Sequence, residues 1–564
     1  MKYLIQSAKR YKSLIYLCLV LGFAGTFLQS FSARYLQKIV DRFTAGTLTP
    51  MNIAVYGMAL ALLFVISYLN NYPWRKLESG IPLLLKINAL RKVSVIDYLS
   101  YIKLGTGELI QRIENGASAG SSIFLGFYLR LASELIPSMV FSIIFVFIIS
   151  PVVTAAIMIG YLVVFVITNI LLKALYQVKG RILDSEEKFN HYFVRGLMEM
   201  VVFRVYRRFT KELRKAESAS DEIISSNVKM KMTHEAFFTI FALLIAFIKI
   251  GVIAYGWSSK TLSIGQIVAL VALVDCAYQP IAVINVSYVQ YKLDKVAFAR
   301  YTEFLDAKEE ARLTEGETVP EIKGDISFSK VGFDYDNREI LNDFDLDIQS
   351  KKKVAFVGES GSGKTTAVKL LVGLLHPRTG QITIDGFDLN RINLNDYYKH
   401  VAYLPQEPSV FDGTLRENLV FDETAADGDL TEVLEKAGLG GLYAKLEHGL
   451  ETPLGEKGVR LSGGERQQLA IARLWFSKAQ IVIFDEATSA IDNLTEEAVM
   501  KNAMAFLSDK TVISIAHRLD SIRSFETIFV FRDGHIVEQG GFDELMEKRR
   551  SFYELYNRST ISPT

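Results

Sequence analysis

The sequence contains very little cysteine and carries no excess of charge of either sign. Its 564 residues include only two cysteines, Cys18 and Cys276, and both lie in apolar runs. Two such thiols exclude a disulfide scaffold and a cysteine-based zinc cluster, and they suit a protein whose soluble part stays in a reducing cytoplasm. Lysine and arginine number 63 against 62 aspartates and glutamates, which leaves a net charge of +1. That balance argues against nucleic acid as a partner.

The apolar residues are unevenly distributed, and the first half of the chain contains runs of membrane-span length. Each run approaches the ~20 residues needed to cross a hydrocarbon layer of about 30 Å. The second run is the weakest, because Asn70, Asn71 and Pro73 crowd its end. The six predicted spans cover residues 14–31, 53–69, 123–149, 152–172, 237–255 and 264–283.

The connections between the predicted spans differ in length. The first, third and fifth connections are short, whereas residues 70–122 and 173–236 are long and charged. We expect these two helix-periodic stretches to continue the spans as helices into water.

Some ionisable side chains fall within or beside the predicted spans. Lys249 lies about eight residues before Trp257, or ~12 Å deep, and Asp275 lies about twelve residues past the start of the last span, or ~18 Å deep. A charge at that depth is costly and indicates a partner or a transport pathway. The sequence leaves two interpretations open: a structural pair or snorkelling lysine, or an Asp275 that faces a central cavity and meets a cationic or polar substrate. Arg130 and Glu134, four residues apart, are expected to pair with each other.

The most informative motif lies in the second half, where residues 354–366 read VAFVGESGSGKTT. A strand at 354–357 leads into a G-x-x-x-x-G-K-[ST] loop, and a helix is expected over 367–375. Glycines let backbone N–H groups curl around phosphate oxygens, and the helix N-terminus adds a favourable dipole. Lys364 can reach the β- and γ-phosphates, and the Thr365 hydroxyl can ligate Mg²⁺. The predicted nucleotide-binding residues of the loop are Gly358, Glu359, Ser360, Gly361, Ser362, Gly363, Lys364, Thr365 and Thr366.

A second strand, residues 481–484, ends in two consecutive acids, Asp485 and Glu486. An aspartate at the carboxyl end of a strand beside a phosphate loop can hold Mg²⁺, usually through water. The carboxylate that follows can polarise an attacking water. These two acids therefore predict a metal site and a catalytic base.

Between the two strands, residues 461–465 read LSGGE and open another helix, predicted over 466–476. Ser462, Gly463 and Gly464 could bind a second anion at that helix N-terminus. The combination of this segment with the phosphate loop resembles the ATP-binding cassette (ABC) family, whose signature is L-S-G-G-Q.

The resemblance implies roles for further residues. Tyr335 is placed like the aromatic residue that stacks on adenine. Gln406 matches the glutamine that touches Mg²⁺ and the attacking water, and Asp492 matches the aspartate of the dimer-contact loop. His517 matches the switch histidine that contacts the γ-phosphate, and residues 455–458 resemble the segment ahead of the signature that touches the coupling helices.

The first half resembles the six-helix transmembrane domain of exporter-type (type IV) members of this family. Residues 107–115 and 199–212 resemble its first and second intracellular loops. The resemblance implies an α-helical six-span transmembrane domain at 1–306, a linker at 307–324 and an α/β P-loop ATPase domain at 325–564. Three residues depart from the family pattern: Glu465, Ile491 and Pro453.

The resemblance also implies a mechanism and a partner. ATP is sandwiched between the phosphate loop of one cassette and the signature of another, so this chain is expected to dimerise and to use ATP and Mg²⁺. Because Glu486 and the signature are both kept, a homodimer is favoured, and a heterodimer stays open. Export of a small amphiphilic, lipid, drug or peptide substrate is expected, with import by the same fold as the alternative.

The chemistry of the second half also sets the expected location. Nucleotide chemistry places that half in the cytoplasm, and six spans return the chain to its starting side. The N-terminus and both long connections are therefore expected to be cytoplasmic, in the cytoplasmic membrane of a bacterium.

Overall fold

The computed structural model describes residues 1–319, 321–336, 338–421, 425–455, 458, 460–516 and 518–561. The chain divides into two units. The first contains Met1–Ser94 and Leu104–Ala307, and the second contains Val95–Lys103 and Lys308–Thr564. A short segment between two long helices of the first unit, Val95–Lys103, therefore belongs to the second.

The first unit is helical, and its helices follow the apolar runs of the sequence. In chain order, the helices up to residue 305, including α4 in the short segment, are α1 (Lys2–Lys9), α2 (Lys12–Thr44), α3 (Pro50–Val93), α4 (Tyr98–Leu104), α5 (Thr106–Ser121), α6 (Ile136–Ile149), α7 (Pro151–Met198), α8 (Met200–Val205), α9 (Phe209–Ser259) and α10 (Ile264–Leu305). Two π-helical stretches, Ser122–Leu129 and Leu131–Leu135, join α5 to α6.

Five helical stretches among the described residues are long and apolar enough to cross a membrane. They contain the first, second, third, fifth and sixth predicted spans. The fourth predicted span lies within α7, whose described apolar part is the shorter stretch Pro151–Val164. The long charged connections are largely helical, as expected, because α3, α7 and α9 run far beyond the apolar residues.

Helix α3 continues through the residues that weakened the second predicted span. Pro73 and Pro82 both lie inside the helix, which reaches Val93. Proline removes one backbone donor, but a long helix with neighbours can absorb that loss within a membrane protein. The span is therefore present despite its polar and proline-rich end.

Buried tyrosines join the long helices of the first unit. Tyr278 of α10 is fully buried, and its hydroxyl donates to the Ile157 carbonyl oxygen of α7 at 2.8 Å. Tyr301, also of α10, donates to the Leu85 carbonyl oxygen of α3 at 2.7 Å. Each hydroxyl satisfies its hydrogen-bonding potential in an apolar interior, where an unpaired polar group would be costly.

The second unit contains two sheets. An antiparallel sheet has the order β2-β1-β4-β5, and a mostly parallel sheet has the order β10-β9-β3-β8-β7-β6 with only β10 antiparallel. The strands are β1 (Ile326–Tyr335), β2 (Arg338–Ile348), β3 (Lys353–Gly358), β4 (Thr379–Ile384), β5 (Phe387–Asp388), β6 (Val401–Leu404), β7 (Ile481–Asp485), β8 (Thr511–Ile515), β9 (Thr527–Arg532) and β10 (His535–Gly540).

Helices surround the parallel sheet, whose central strands β3, β7 and β8 are buried along almost their whole length. Such continuous apolar strands are typical of a parallel sheet covered on both faces. The helices of this part are α11 (Lys364–Leu371), α12 (Leu394–Tyr397), α13 (Leu415–Leu419), α14 (Asp427–Lys436), α15 (Gly440–Tyr443), α16 (Gly463–Ala472), α17 (Asn493–Phe506), α18 (Phe542–Lys548) and α19 (Ser551–Ile561). The predicted fold class, a helical transmembrane region followed by an α/β domain, is confirmed.

Candidate functional site

The phosphate-loop residues form a tight turn between β3 and α11. Gly361 and Gly363 have φ angles of +83° and +105°, which glycine adopts without the steric cost of a Cβ. A Cβ on Gly363 would also lie 2.8 Å from Leu341 Cδ2. Gly363 caps α11, which begins at Lys364 and ends at Leu371, so the predicted bounds of 367–375 were wrong at both ends. The other predicted loop residues lie at the end of β3, in the turn, or in the first turn of α11: Gly358, Glu359, Ser360, Ser362, Thr365 and Thr366.

The ammonium group of Lys364 lies inside this turn. Its Nζ donates to the carbonyl oxygens of Gly358 and Glu359 at 2.8 and 2.9 Å. Burial lowers the pKa of Lys364, and the charges of Glu486 and Asp485 offset only part of that effect. A desolvated ammonium group in a glycine-rich turn is suited to phosphate oxygens, which bind charged donors strongly.

The two acids lie at the carboxyl end of β7, beside the phosphate loop in the sheet. Asp485 is 4% exposed and accepts a hydrogen bond from the Tyr403 hydroxyl at 2.9 Å. Burial raises the pKa of Asp485, although the Tyr403 hydrogen bond acts in the opposite direction. Because β3, β8 and β7 are parallel neighbours, their carboxyl ends meet at one edge, where ligands bind in folds of this class.

Glu486 has an unusual backbone conformation and a specific partner. Its φ is +54°, and its amide donates to the Ile515 carbonyl oxygen of β8 at 3.2 Å. The left-handed region is costly for a residue other than glycine and is found most often at functional sites. The side chain accepts a hydrogen bond from Gln406 Nε2 at 2.7 Å. The structure therefore brings these two predicted catalytic residues into direct contact.

The predicted metal ligands carry the chemistry that magnesium requires. Mg²⁺ prefers oxygen ligands, and Thr365, Asp485 and Gln406 offer a hydroxyl, a carboxylate and an amide oxygen. Gln406 contacts Glu486 through its side-chain nitrogen, Nε2. Its side-chain oxygen, Oε1, takes no part in that contact. These residue types fit the ion.

The signature segment begins helix α16 with a capping box. The Ser462 hydroxyl accepts from the Glu465 amide at 3.2 Å, and the Glu465 carboxylate accepts from the Ser462 amide at 2.6 Å. A glutamate or a glutamine can complete this arrangement. The departure from L-S-G-G-Q therefore keeps the cap and adds a negative charge beside Gly463 and Gly464.

Gln467, to which the sequence analysis assigned no role, ties the signature helix to two neighbouring loops. It is 4% exposed, and its Oε1 accepts from the Ala490 amide at 2.8 Å. Its Nε2 donates to Ser489 Oγ at 3.1 Å and to the Gln406 carbonyl oxygen at 3.4 Å. Its neighbours Arg466 and Gln468 are also polar, so the local sequence carried no signal that distinguished Gln467.

Two residues assigned by resemblance have contacts within the chain. Tyr335 packs against the apolar core that contains Ala367 and Val368, the residues that follow the phosphate loop. Asp492 is the N-cap of α17, where its carboxylate accepts from the Thr495 amide at 3.1 Å. That hydrogen bond lowers the pKa of Asp492.

His517 lies outside the described residues, as do Glu456 and Lys457 of the 455–458 segment. The neighbouring Arg518 is described. It donates to Glu496 at 2.6 Å and to the Ile491 carbonyl oxygen at 3.2 Å. Arg518 thus connects the segment after β8 to the loop that contains Asp492, a link that the sequence analysis missed.

The short segment Val95–Lys103 packs within the second unit. Tyr98 and Leu99 contact its apolar core, and Lys369 of α11 lies over the Tyr98 ring at 5.8 Å. This segment precedes the stretch 107–115 that the sequence analysis compared with the first intracellular loop. It reaches the helix that carries the phosphate-loop lysine.

Two family models match the chain. The model of the ABC transporter transmembrane region matches residues 15–280, and the ABC transporter model matches residues 341–489. An export ATP-binding/permease protein of Rickettsia typhi is 28% identical over 86% of this chain and 86% of its own length. An ABC transporter ATP-binding protein of Bacillus subtilis is 36% identical, but this match covers 51% of the chain and only 50% of that relative.

A solved structure has the same fold. A bacterial Atm1-family ABC exporter with ATP bound superposes with a TM-score of 0.82, over 99% of each chain and at 24% identity.

Proposed function

Since the chain belongs to the ABC transporter family, with the transmembrane region and the ATP-hydrolysing domain fused in one chain, we propose that two copies associate into an exporter. The domains are assigned to residues 1–306 and 325–564, joined by the linker 307–324. The substrate class is a small amphiphilic molecule, lipid, drug or peptide. The name of the Rickettsia typhi relative, which includes export, supports the outward direction.

The observation that carries the proposal is the contact between Gln406 and Glu486 beside Asp485 and Lys364. Glu486 would polarise the attacking water, and Gln406 would hold that carboxylate in position. Lys364 and the loop amides would bind the phosphates. Mg²⁺, held by Thr365, Asp485 and Gln406, would neutralise charge on them. Tyr335 and His517 would contact the adenine and the γ-phosphate.

Dimerisation follows from the distribution of these parts. One chain carries one phosphate loop and one signature, so a complete sandwich needs the signature of a second chain. Ser462, Gly463 and Gly464 of the partner copy would close the site, and Asp492 would lie at the contact. Because ATP touches both cassettes only in the closed pair, it shifts the population towards closure.

The proposed location is the cytoplasmic membrane of a bacterium. The nucleotide-binding domain and the N-terminus would face the cytoplasm, where ATP is available. The parts of α3, α7 and α9 that extend beyond the apolar residues would transmit the closure of the cassettes to the spans.

The test is the Mg²⁺-dependent ATPase activity of the chain purified alone in nanodiscs, with Glu486→Gln beside it. Activity that disappears in the variant supports complete sites formed by two identical chains. A well-folded chain without activity would contradict the homodimer and indicate a different partner subunit. Accumulation of substrate in inside-out vesicles on addition of ATP then supports export, and accumulation only in right-side-out cells would contradict it.

A further inference from the structure

A cavity of about 760 Å³ opens between α2 and α3 of the first unit. Its volume is within the range of about 300–1,000 Å³ that is typical of small-molecule sites. The lining surface is almost entirely apolar, and two of the lining residues, Arg75 and Lys76 of α3, carry a positive charge. The lining residues that matter here are Leu17, Leu21, Leu69, Tyr72, Arg75 and Lys76.

The position of the cavity along α3 corresponds to one face of the membrane. At 1.5 Å per residue from Pro50, Leu69 lies about 28 Å and Lys76 about 39 Å along the helix. The hydrocarbon layer is about 30 Å thick, so the cavity extends from the acyl-chain region into the headgroup region. Tyr72, which is 64% exposed, lies between these levels. Tyrosine is enriched at this interface.

The two cations are available to an anion from the bilayer. Arg75 pairs with Glu78 at 2.8 Å, but their side chains are 75% and 51% exposed. Such an exposed pair is weak, and a phosphate group can replace its carboxylate. Lys76 Nζ donates to the Tyr72 hydroxyl at 3.3 Å and lies 5.6 Å from the Tyr72 ring centroid. Neither contact neutralises its charge.

From this arrangement we propose that the cavity binds one anionic phospholipid of the cytoplasmic leaflet. The acyl chains lie against Leu17, Leu21 and Leu69, and the headgroup phosphate is held by Arg75 and Lys76. The choice of leaflet rests on the membrane orientation given under the proposed function. An acyl chain fits the apolar wall, and the charge complementarity selects an anionic headgroup over a zwitterionic one.

The native tryptophans make this site measurable in the full-length protein. Trp74 lies between two lining residues of the cavity in the sequence, Pro73 and Arg75. Trp257 lies near the C-terminal end of α9 and is 80% exposed. Replacing Trp257 and Trp475 by Phe leaves Trp74 as the only tryptophan, which is excited selectively over the 26 tyrosines at the long-wavelength edge of its absorption. Quenching is then compared in phosphatidylcholine nanodiscs that contain brominated phosphatidylglycerol or brominated phosphatidylcholine at equal fractions.

We expect the anionic lipid to quench Trp74 with a relative binding constant at least about threefold above that of the zwitterionic lipid. Arg75→Gln with Lys76→Gln should abolish this preference. Leu21→Phe, which fills the cavity and keeps both cations, should also reduce it. The matched control, Lys9→Gln with Arg10→Gln, removes the same charge near the same membrane face and should keep the preference.

Equal quenching of Trp74 by the two lipids would overturn the proposal. So would an equal loss of preference in the Lys9 and Arg10 control, because the effect would then come from surface charge alone. A chain that retains Trp257 as its only tryptophan tests the spans separately, since membrane insertion predicts equal quenching by both lipids. The ATPase activity of the same samples tests the proposed function, because neither cation belongs to the nucleotide site.

Discussion

The side-chain amide of Gln406 donates a hydrogen bond to the carboxylate of Glu486, with 2.7 Å between Nε2 and Oε2. Eighty positions separate the two residues in the sequence. Gln406 follows β6 and Glu486 follows β7, and these strands are parallel neighbours. The contact therefore depends on the order of strands in the sheet. It orients the proposed catalytic base against the loop that begins after β6.

Removing the Gln406 side chain should impair hydrolysis more than nucleotide binding. Gln406→Ala leaves the phosphate loop intact but releases Glu486 from its partner. We expect kcat for ATP hydrolysis to fall about 10- to 100-fold, with a much smaller change in ATP affinity. Steady-state ATPase assays and binding of a fluorescent nucleotide measure the two effects. An equal loss of both would contradict a role in positioning the base.

Gln467 should matter for communication between the signature and the loops that it contacts. Gln467→Leu removes hydrogen bonds to Ala490, Ser489 and Gln406. We expect ATPase activity to fall about tenfold, while ATP binding to the phosphate loop is retained. Gln468→Leu is the matched control. Gln468 is equally buried on the same helix but donates to the Gly438 carbonyl oxygen. A similar loss in both variants would indicate a general defect of the helix.

Glu465 has two roles that different substitutions can separate. Its side chain completes the cap of α16, and its negative charge lies beside the signature glycines. Glu465→Gln keeps a capping side chain and removes a negative charge near the predicted anion site, so KM for ATP should fall about two- to fivefold. Glu465→Ala removes the cap and should cost about 1 kcal/mol in stability. Thermal unfolding and ATPase kinetics distinguish these outcomes. An unchanged KM in Glu465→Gln would show that this charge does not act on bound nucleotide.

The expected ion pair between Arg130 and Glu134 is present, with 3.3 Å between Nε and Oε2.

A second ion pair lies within the predicted spans, where Lys249 Nζ is 2.7 Å from the Asp275 carboxylate. Asp275→Asn should lower stability by about 1 kcal/mol or more, since it leaves a lysine charge in an apolar span. The double variant Lys249→Met with Asp275→Leu should recover much of that loss.

Thermal unfolding of the Lys249 and Asp275 variants in nanodiscs measures this recovery. Equal destabilisation of the single and double variants would contradict a structural pair. The Asp275 side chain is 54% exposed in this chain. A role of Asp275 in the transport pathway is therefore tested by comparing the substrates that Asp275→Asn and the parent protein transport. A changed set of substrates supports that role.

A buried ion network at the start of the linker should make stability sensitive to acid. Burial alone would raise the pKa of Glu310, but hydrogen bonds from Arg312 and His376 outweigh it and hold that pKa far below its usual range. A carboxyl with a lowered pKa stabilises the fold fully above its unfolded pKa of about 4.3, and this contribution is lost as the pH falls towards the folded pKa.

Glu310→Gln should therefore cost about 3 kcal/mol at pH 7, because it breaks a buried pair and leaves Arg312 uncompensated. The difference from the parent should shrink below about pH 4.5, where the carboxyl becomes protonated in the unfolded chain. Thermal unfolding across this pH range measures it. Glu315→Gln, at an exposed position of the same linker, is the control and should behave like the parent.

The sequence alone determined the domain order, the nucleotide-binding motifs, and five spans that are long apolar helices among the described residues. Periodicity, run length and glycine spacing are local properties, so they can be read without coordinates. Helix bounds were less predictable. Helix α11 begins at Lys364 because Gly363 caps it, and α3 continues through Pro73, where local propensity predicted weakness.

Only the tertiary structure decided which distant residues meet. The contacts of Gln467, the link from Arg518 to Glu496, and the packing of Tyr98 against the second unit's core join segments far apart in the chain. Their partners follow from strand order and from the packing of helices on the sheet, and neither leaves a periodic pattern in the sequence. The same holds for the cavity beside Arg75, since a space between two helices exists only when both are in place.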